Sequence, residues 1–160
     1  SDVNYFIESR HSGWRVGKIN TPKKAMKWIK ESVSENGYYL AIVLKEENKI
    51  IGNAELCHLD WWQFKAGEIC YAINEKYWGK GYATEGSALL IDYCFKKLKF
   101  IKVYADTDPD NKAAQRVLEL GFKLEGRIRE KHFVKGKWVD ELDYGLLRRE
   151  WMEGKFKEDY

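Results

Sequence analysis

Tyr77-Trp78-Gly79-Lys80-Gly81-Tyr82-Ala83-Thr84-Glu85-Gly86 lies between a strand-like run, Glu68 to Asn74, and a helix-like run, Tyr82 to Leu98. Two glycines at such a junction let the backbone curl tightly and turn its N–H groups toward one point. A helix starting there adds free N–H groups and the positive end of its dipole. The junction therefore reads as a seat for a phosphate or pyrophosphate. The bland alternative is a tight turn that binds nothing.

Three glycine-loop chemistries compete for that seat. A P-loop needs four residues between its first glycine and a Gly-Lys-Ser/Thr. Here Lys80 lies between two glycines and no Ser or Thr follows it, so the P-loop is rejected. A dinucleotide fingerprint needs Gly-x-Gly-x-x-Gly near the start of a βαβ unit. Thr84 stands where the third glycine belongs. A loop of the acetyl-CoA type remains.

Trp78-Gly79-Lys80-Gly81-Tyr82-Ala83 resembles the Gln/Arg-x-x-Gly-x-Gly/Ala pyrophosphate loop of the GNAT N-acetyltransferases, with Trp78 departing at the first position. The longer string from Tyr77 to Glu85 resembles the branch holding the ribosomal-protein N-terminal (alanine/serine) acetyltransferases. Asp108-Pro109-Asp110-Asn111-Lys112-Ala113-Ala114, running on to Gly121-Phe122, is similar to that branch's Asn-x-x-Ser/Ala…Gly-Phe segment. Gly126-Arg127, Trp138-Val139-Asp140 and Gly145 through Trp151 match its hairpin and tail. The resemblance runs from about residue 36 to residue 151.

The resemblance implies one acetyltransferase domain over residues 1–160. It implies the α/β GNAT (acyl-CoA N-acyltransferase) fold: a mixed central sheet, a splayed parallel strand pair and a C-terminal β-hairpin. The family usually opens with an extra strand, and nothing like it precedes Tyr5. Acetyl-CoA is the implied cosubstrate, with no metal, and the implied acceptor is a primary amine. That amine is a protein N-terminus, a polyamine or another small amine. Tyr71, Ala72 and Ile73 would border the pantetheine arm, Gly79, Lys80, Gly81, Tyr82, Ala83 and Thr84 would hold the pyrophosphate, and Asn111 would meet the arm beyond the next strand.

Composition agrees. The chain has 160 residues, enough for one domain with a real core. Hydrophobic residues are 44% and aromatics 15%, which excludes a disordered chain. A net charge of +3 is too mild to argue for nucleic acid. Cys57, Cys70 and Cys94 sit in apolar runs without a Cys-x-x-Cys and read as reduced residues in the core or close to it, consistent with a cytoplasmic setting. No apolar run reaches membrane-spanning length and no signal-like segment opens the chain. A homodimer is left open.

Punctuation and period order the elements. Thr21-Pro22 opens a helix over Lys23 to Glu31. Tyr38 to Leu44, Ile50 to Leu59 and the alternation Ile69, Tyr71, Ile73 predict three strands. Leu90, Ile91, Cys94, Phe95 and Leu98 form one buried stripe on the helix after the loop. Lys102 to Thr107 is the strand that closes a βαβ unit, parallel to the one at Ile69. Asn111 to Leu120 is a short helix stopped by Gly121. Two long strands then meet at Lys135-Gly136.

Amine acetylation needs a neutral amine, yet an alkyl amine has a pKa of about 10. A base, a water chain or desolvation must take the proton. Asp106 lies five residues before Asn111, where some members of the family carry a glutamate. Glu68 is the nearest acid on the strand before the loop, one residue out of step with the base other members carry there. The tyrosine that protonates the thiolate in many members is Leu118 here, and the serine some use instead is Ala114. On the strand from Phe122, residues Leu124, Ile128 and Val134 share one face with Glu130 and His132, which would line an amine pocket. A bulge at Gly126 would break that register. Asp60, His58 and Trp61-Trp62 would form a substrate rim or an exposed loop packed on a partner. His11, His58 and His132 show no metal spacing. Leu118 and Ala114 also admit a second class of function: an acyl-CoA-binding domain that has lost catalysis.

Overall fold

The computed structural model describes residues 37–60 and 65–154. The expected helix at Lys23 to Glu31, the region before Tyr5, His11 and Trp61-Trp62 lie outside them. Among the described residues, six strands form one sheet in the order β1-β2-β3-β4-β6-β5. They are β1 (Tyr38–Leu44), β2 (Lys49–Asp60), β3 (Ala66–Ile73), β4 (Lys102–Thr107), β5 (Lys123–Val134) and β6 (Lys137–Leu147). A 3-10 turn (Glu75–Tyr77) leads toward α1 (Tyr82–Lys96) between β3 and β4. Helix α2 (Lys112–Leu118) follows β4, and α3 (Arg148–Glu153) follows β6.

One sheet face is apolar because alternate residues on each strand are. Ala54, Leu56, Ile69, Val103, Ala105 and Leu146 point to it and are buried. The predicted stripe Leu90, Ile91, Cys94 and Phe95 fixes which side of α1 lies on that face. Val117 and Leu118 of α2 and Trp151 of α3 complete the core. Each buried Leu, Ile, Val or Phe among them contributes about 1.5–3 kcal/mol, so this face is what holds the sheet against its helices. The Trp151 indole also donates to Asp92 Oδ1 at 2.7 Å, fixing α3 to α1.

The feature that positions the site is the β3–β4 pair. These strands are parallel but pair only through Ala66/Lys102, Gly67/Val103 and Glu68/Tyr104. Beyond Glu68, β3 stays on β2 as far as Ile73/Gly52, and β4 stays on β6 as far as Thr107/Leu142. The two strands therefore part, leaving a gap bordered by residues 69–73 and 105–107. This is the splayed parallel pair expected from the resemblance.

Of the two readings of β5, the bulge at Gly126 is the one present. Alternation along β5 is broken twice, between Leu124 and Gly126 and between Ile128 and His132. The first break is the bulge at Gly126; in the second, Glu130 takes φ 52°. Leu124 and Ile128 are exposed, so no continuous buried face carries Glu130 and His132. Nor are all three cysteines core residues. Cys94 is fully buried, but Cys57 and Cys70 lie half-buried on the opposite, polar face of the sheet. All three are free thiols.

Candidate active site

The glycine loop adopts the geometry its sequence requires. Gly79 has φ +73° and Gly81 φ +82°, the left-handed region that other residues enter at a cost of about 1–2 kcal/mol. A Cβ at either position would meet nothing within 4 Å, so the loop's surface is open to a ligand. The backbone bond that opens α1 runs from Glu85 N–H to Gly81 O at 3.0 Å. The N–H groups of Tyr82, Ala83 and Thr84 thus precede any helical acceptor. Lys80 Nζ lies 5.7 Å from the centre of the Tyr77 ring, beside the loop. Trp78, the departure from the family's motif, is largely exposed, and its indole Nε1 donates to Ile73 O at 2.7 Å. That bond ties the loop to the end of β3.

Tyr71, Ala72 and Ile73 lie on the stretch of β3 that borders the gap. Tyr71 reaches across it, its hydroxyl donating to Ala114 O of α2 at 3.4 Å; burial, and secondarily Cys70, pushes the phenol well up. Asn111 is the N-cap of α2, its Oδ1 accepting from Ala114 N–H at 3.1 Å. Leu118 is part of the core.

The polar sheet face carries a group of carboxylates. Glu68 sits opposite Tyr104, and Asp106 opposite Asp143, so all four share a face by the pairing of neighbouring strands. Glu141 lies on the same face, two residues before Asp143. Burial, then hydrogen bonding and repulsion from Glu68, then Glu141, push the Asp106 carboxyl up to about 8. Burial and the Glu141 charge also raise Asp143, and burial raises Glu55 despite its hydrogen bond from Asn53. Glu141 moves the other way. Burial would raise it, but His132 and Lys131 outweigh that and lower it. His132 Nε2 lies 2.6 Å from Glu141 Oε2 and Lys131 Nζ 3.3 Å from Oε1.

The structure brings Glu68 and Asp106 together and joins His132 to them through Glu141. It does not bring Glu130 in. That side chain is exposed, and its backbone N–H donates to Asp140 Oδ1 at 2.8 Å. A small pocket beside this group is lined by Thr107, Asp108, His132, Val134, Val139, Asp140 and Glu141. The Thr107 hydroxyl is buried there without a partner among the described residues. Glu141 and Asp143 are missed by sequence reasoning, although the alternation of Glu-Leu-Asp-Tyr puts the two acids on one strand face. Nothing in their spacing, however, joins them to Asp106.

The acetyltransferase (GNAT) domain family matches residues 2–123. This chain belongs to the GNAT acetyltransferase family. The match starts upstream of residue 36, where the motif-by-motif likeness begins. The chain is 34% identical over 112 residues to the uncharacterized N-acetyltransferase p20 of Bacillus licheniformis, covering 69% of this chain and 62% of that protein. Less than two thirds of that relative's length is therefore spanned. To the ribosomal protein uS5-alanine N-acetyltransferase of Escherichia coli it is 26% identical over 172 residues, covering 96% of this chain and 84% of that one. The crystal structure of a ribosomal-protein-S5-alanine acetyltransferase from Vibrio fischeri matches with a TM-score of 0.74 at 26% identity. It covers 94% of this chain and 87% of that one. The family uses acetyl-CoA. Among the described residues, no helix is long and apolar enough to cross a membrane.

Proposed function

We propose that this chain transfers the acetyl group of acetyl-CoA to a primary amine by direct attack on the thioester. The observation that carries the reading is the placement of Asp106 and Glu68 where β3 and β4 part, Glu68 being on the strand that leads to the open glycine loop. The N–H groups of Gly79 to Thr84, with Lys80 beside them, hold the pyrophosphate. The pantetheine arm enters the gap along Tyr71, Ala72 and Ile73. Asn111 uses its Oδ1 to cap α2 and offers its amide nitrogen to the arm.

The amine arrives as an ammonium ion. Asp106, with Glu68 behind it, takes one proton; the neutral nitrogen then bonds to the thioester carbon, the carbon–sulfur bond breaks, and the second proton on nitrogen passes to water and on to the departed thiolate. The thiolate leaves unaided, its thiol pKa of about 8.5 making it a tolerable leaving group without a side-chain acid. That fits a core Leu118. Carboxylates at Glu55, Glu68, Asp106, Glu141 and Asp143 favour a cationic acceptor, whether a protein N-terminus, a polyamine or another small amine. His132 orients Glu141, and Glu130 stands at the exposed rim by which such a cation approaches.

The second reading is a CoA-binding domain without catalysis, favoured by Leu118 in the core and Ala114 in place of a hydroxyl. Thiol release from acetyl-CoA across a panel of amines separates the two. The transferase reading predicts release that depends on the amine and a matching acetylated product. CoA binding without amine-dependent release establishes the second.

A further inference from the structure

On the polar face lies a second group that shares Glu68 with the proposed acetyl transfer but whose other members that reaction does not use. Regular alternation would send His58 to the helix-covered face, after Ala54 and Leu56. Instead β2 breaks register between Cys57 and Asp60, and His58 takes φ 46°. The bulge places the adjacent Cys57 and His58 on one side of the sheet. Cys57 is directly opposite Glu68, and Cys70 is two residues along β3 from Glu68.

One donor atom each from Cys57, His58 and Glu68 lie within 4.8 Å of one another. His58 Nδ1 contacts Glu68 Oε2. Cys57 Sγ is 3.5 Å from Cys70 Sγ, and Cys70 Sγ is 3.7 Å from Glu68 Oε1. A tetrahedral zinc with metal–sulfur bonds of about 2.3 Å and metal–oxygen bonds of about 2.0–2.2 Å holds its ligand atoms about 3.4–3.8 Å apart. The two distances that involve sulfur already have that size. The donor set of thiolates, imidazole and carboxylate is the one a borderline-soft divalent cation selects, whereas magnesium and calcium take oxygen. The His58 side chain is 66% exposed and Glu68 11%, so the group opens to solvent on the His58 side and a cation has a way in.

We propose that Cys57, His58 and Glu68, with Cys70 beside them, form a zinc site, and that zinc bound there inhibits the enzyme. Binding stands on this geometry alone. Inhibition rests on the acetyltransferase reading, because the metal withdraws Glu68 from Asp106.

The experiment uses the full chain, reduced and treated with chelator. Zinc chloride is titrated in competition with a chromophoric chelator, and cobalt(II) is added in parallel. Expected are one tight zinc per chain and a thiolate-to-cobalt charge-transfer absorption. Both should weaken in Cys57→Ser and in His58→Ala. The zinc affinity of each variant should fall by more than about 100-fold, since even outer-shell partners cost about 10–100-fold. His58→Ala removes a mostly exposed ring, so it keeps the test open if Cys57→Ser folds poorly. Zinc should slow wild-type acetyl transfer by about 100-fold, the scale of general-base catalysis. It should leave Cys57→Ser, whose metal-free activity equals wild type, unaffected. A cobalt complex without thiolate absorption, or equal zinc affinity in all three proteins, overturns the site. So does a Cys57–Cys70 disulfide whose reduction restores no zinc uptake. Zinc that binds tightly without slowing transfer overturns the inhibition. Absence of any transfer in zinc-free protein would instead refute the acetyltransferase reading, and the titration would still report on the site.

Discussion

The glycine loop and the carboxylate group do different work with different parts of the chain. The loop is contiguous, residues 79–84, and offers backbone N–H groups; its side chains matter mostly by being absent at Gly79 and Gly81. The carboxylates come from β2, β3, β4 and β6 and act only through side chains. An anion seat needs fixed dipoles, which a short segment supplies by its own conformation. A proton acceptor needs a low-dielectric setting with like charges nearby, and only strands brought together by tertiary structure supply that. The division predicts that damage to the loop shows as lost affinity, and damage to the carboxylates as lost turnover.

Gly81→Val is the harshest test of the first half. A β-branched residue at φ +82° meets a backbone conformation it strongly disfavours. With αL strain of about 1–2 kcal/mol and a side chain projecting into the ligand's space, CoA binding should fall below detection by calorimetry. The rest of the fold should persist, because the new side chain contacts nothing in the protein. Normal acetyl-CoA binding by this variant would mean that the loop is not the seat. Leu118→Ala is gentler and sharpens the second half. Leu118 is buried, so truncation should cost about 2–5 kcal/mol of stability in denaturant unfolding. The folded fraction should keep its kcat. A fall in kcat at unchanged stability would move the chemistry onto α2.

Local elements could be read directly. β1 at Tyr38–Leu44 and β4 at Lys102–Thr107 have the bounds that alternation predicts, and the hairpin turns at Lys135-Gly136 as expected. Helix α1 starts at Tyr82 but ends at Lys96; Leu98 packs on the core from beyond the helix. The loop was legible because its requirement is local. Asp106 and Glu68 were both named as candidates, but that they meet, and that Glu141 joins them, was not, since they come together only across sheet pairing. β5 misled because an extra residue in a strand reverses every later side chain and leaves little trace in composition. Gly126 was the one visible sign, and the second break near Glu130 had none. The Cys57–His58 group escaped for the same reason: a bulge turns His58 around, and the third donor sits on the next strand.

The central claim is that Asp106 takes the proton at the parting of β3 and β4. Steady-state acetyl transfer by Asp106→Asn, at saturating acetyl-CoA and amine with CoA affinity measured alongside, tests it most directly. The amide keeps the size and much of the hydrogen bonding of the acid but cannot act as a base. The account predicts a fall in kcat of about 10²-fold or more, within the 10²–10⁴ that general-base catalysis supplies, with CoA binding unchanged. An unchanged kcat would contradict it and return Asp106 to a structural role.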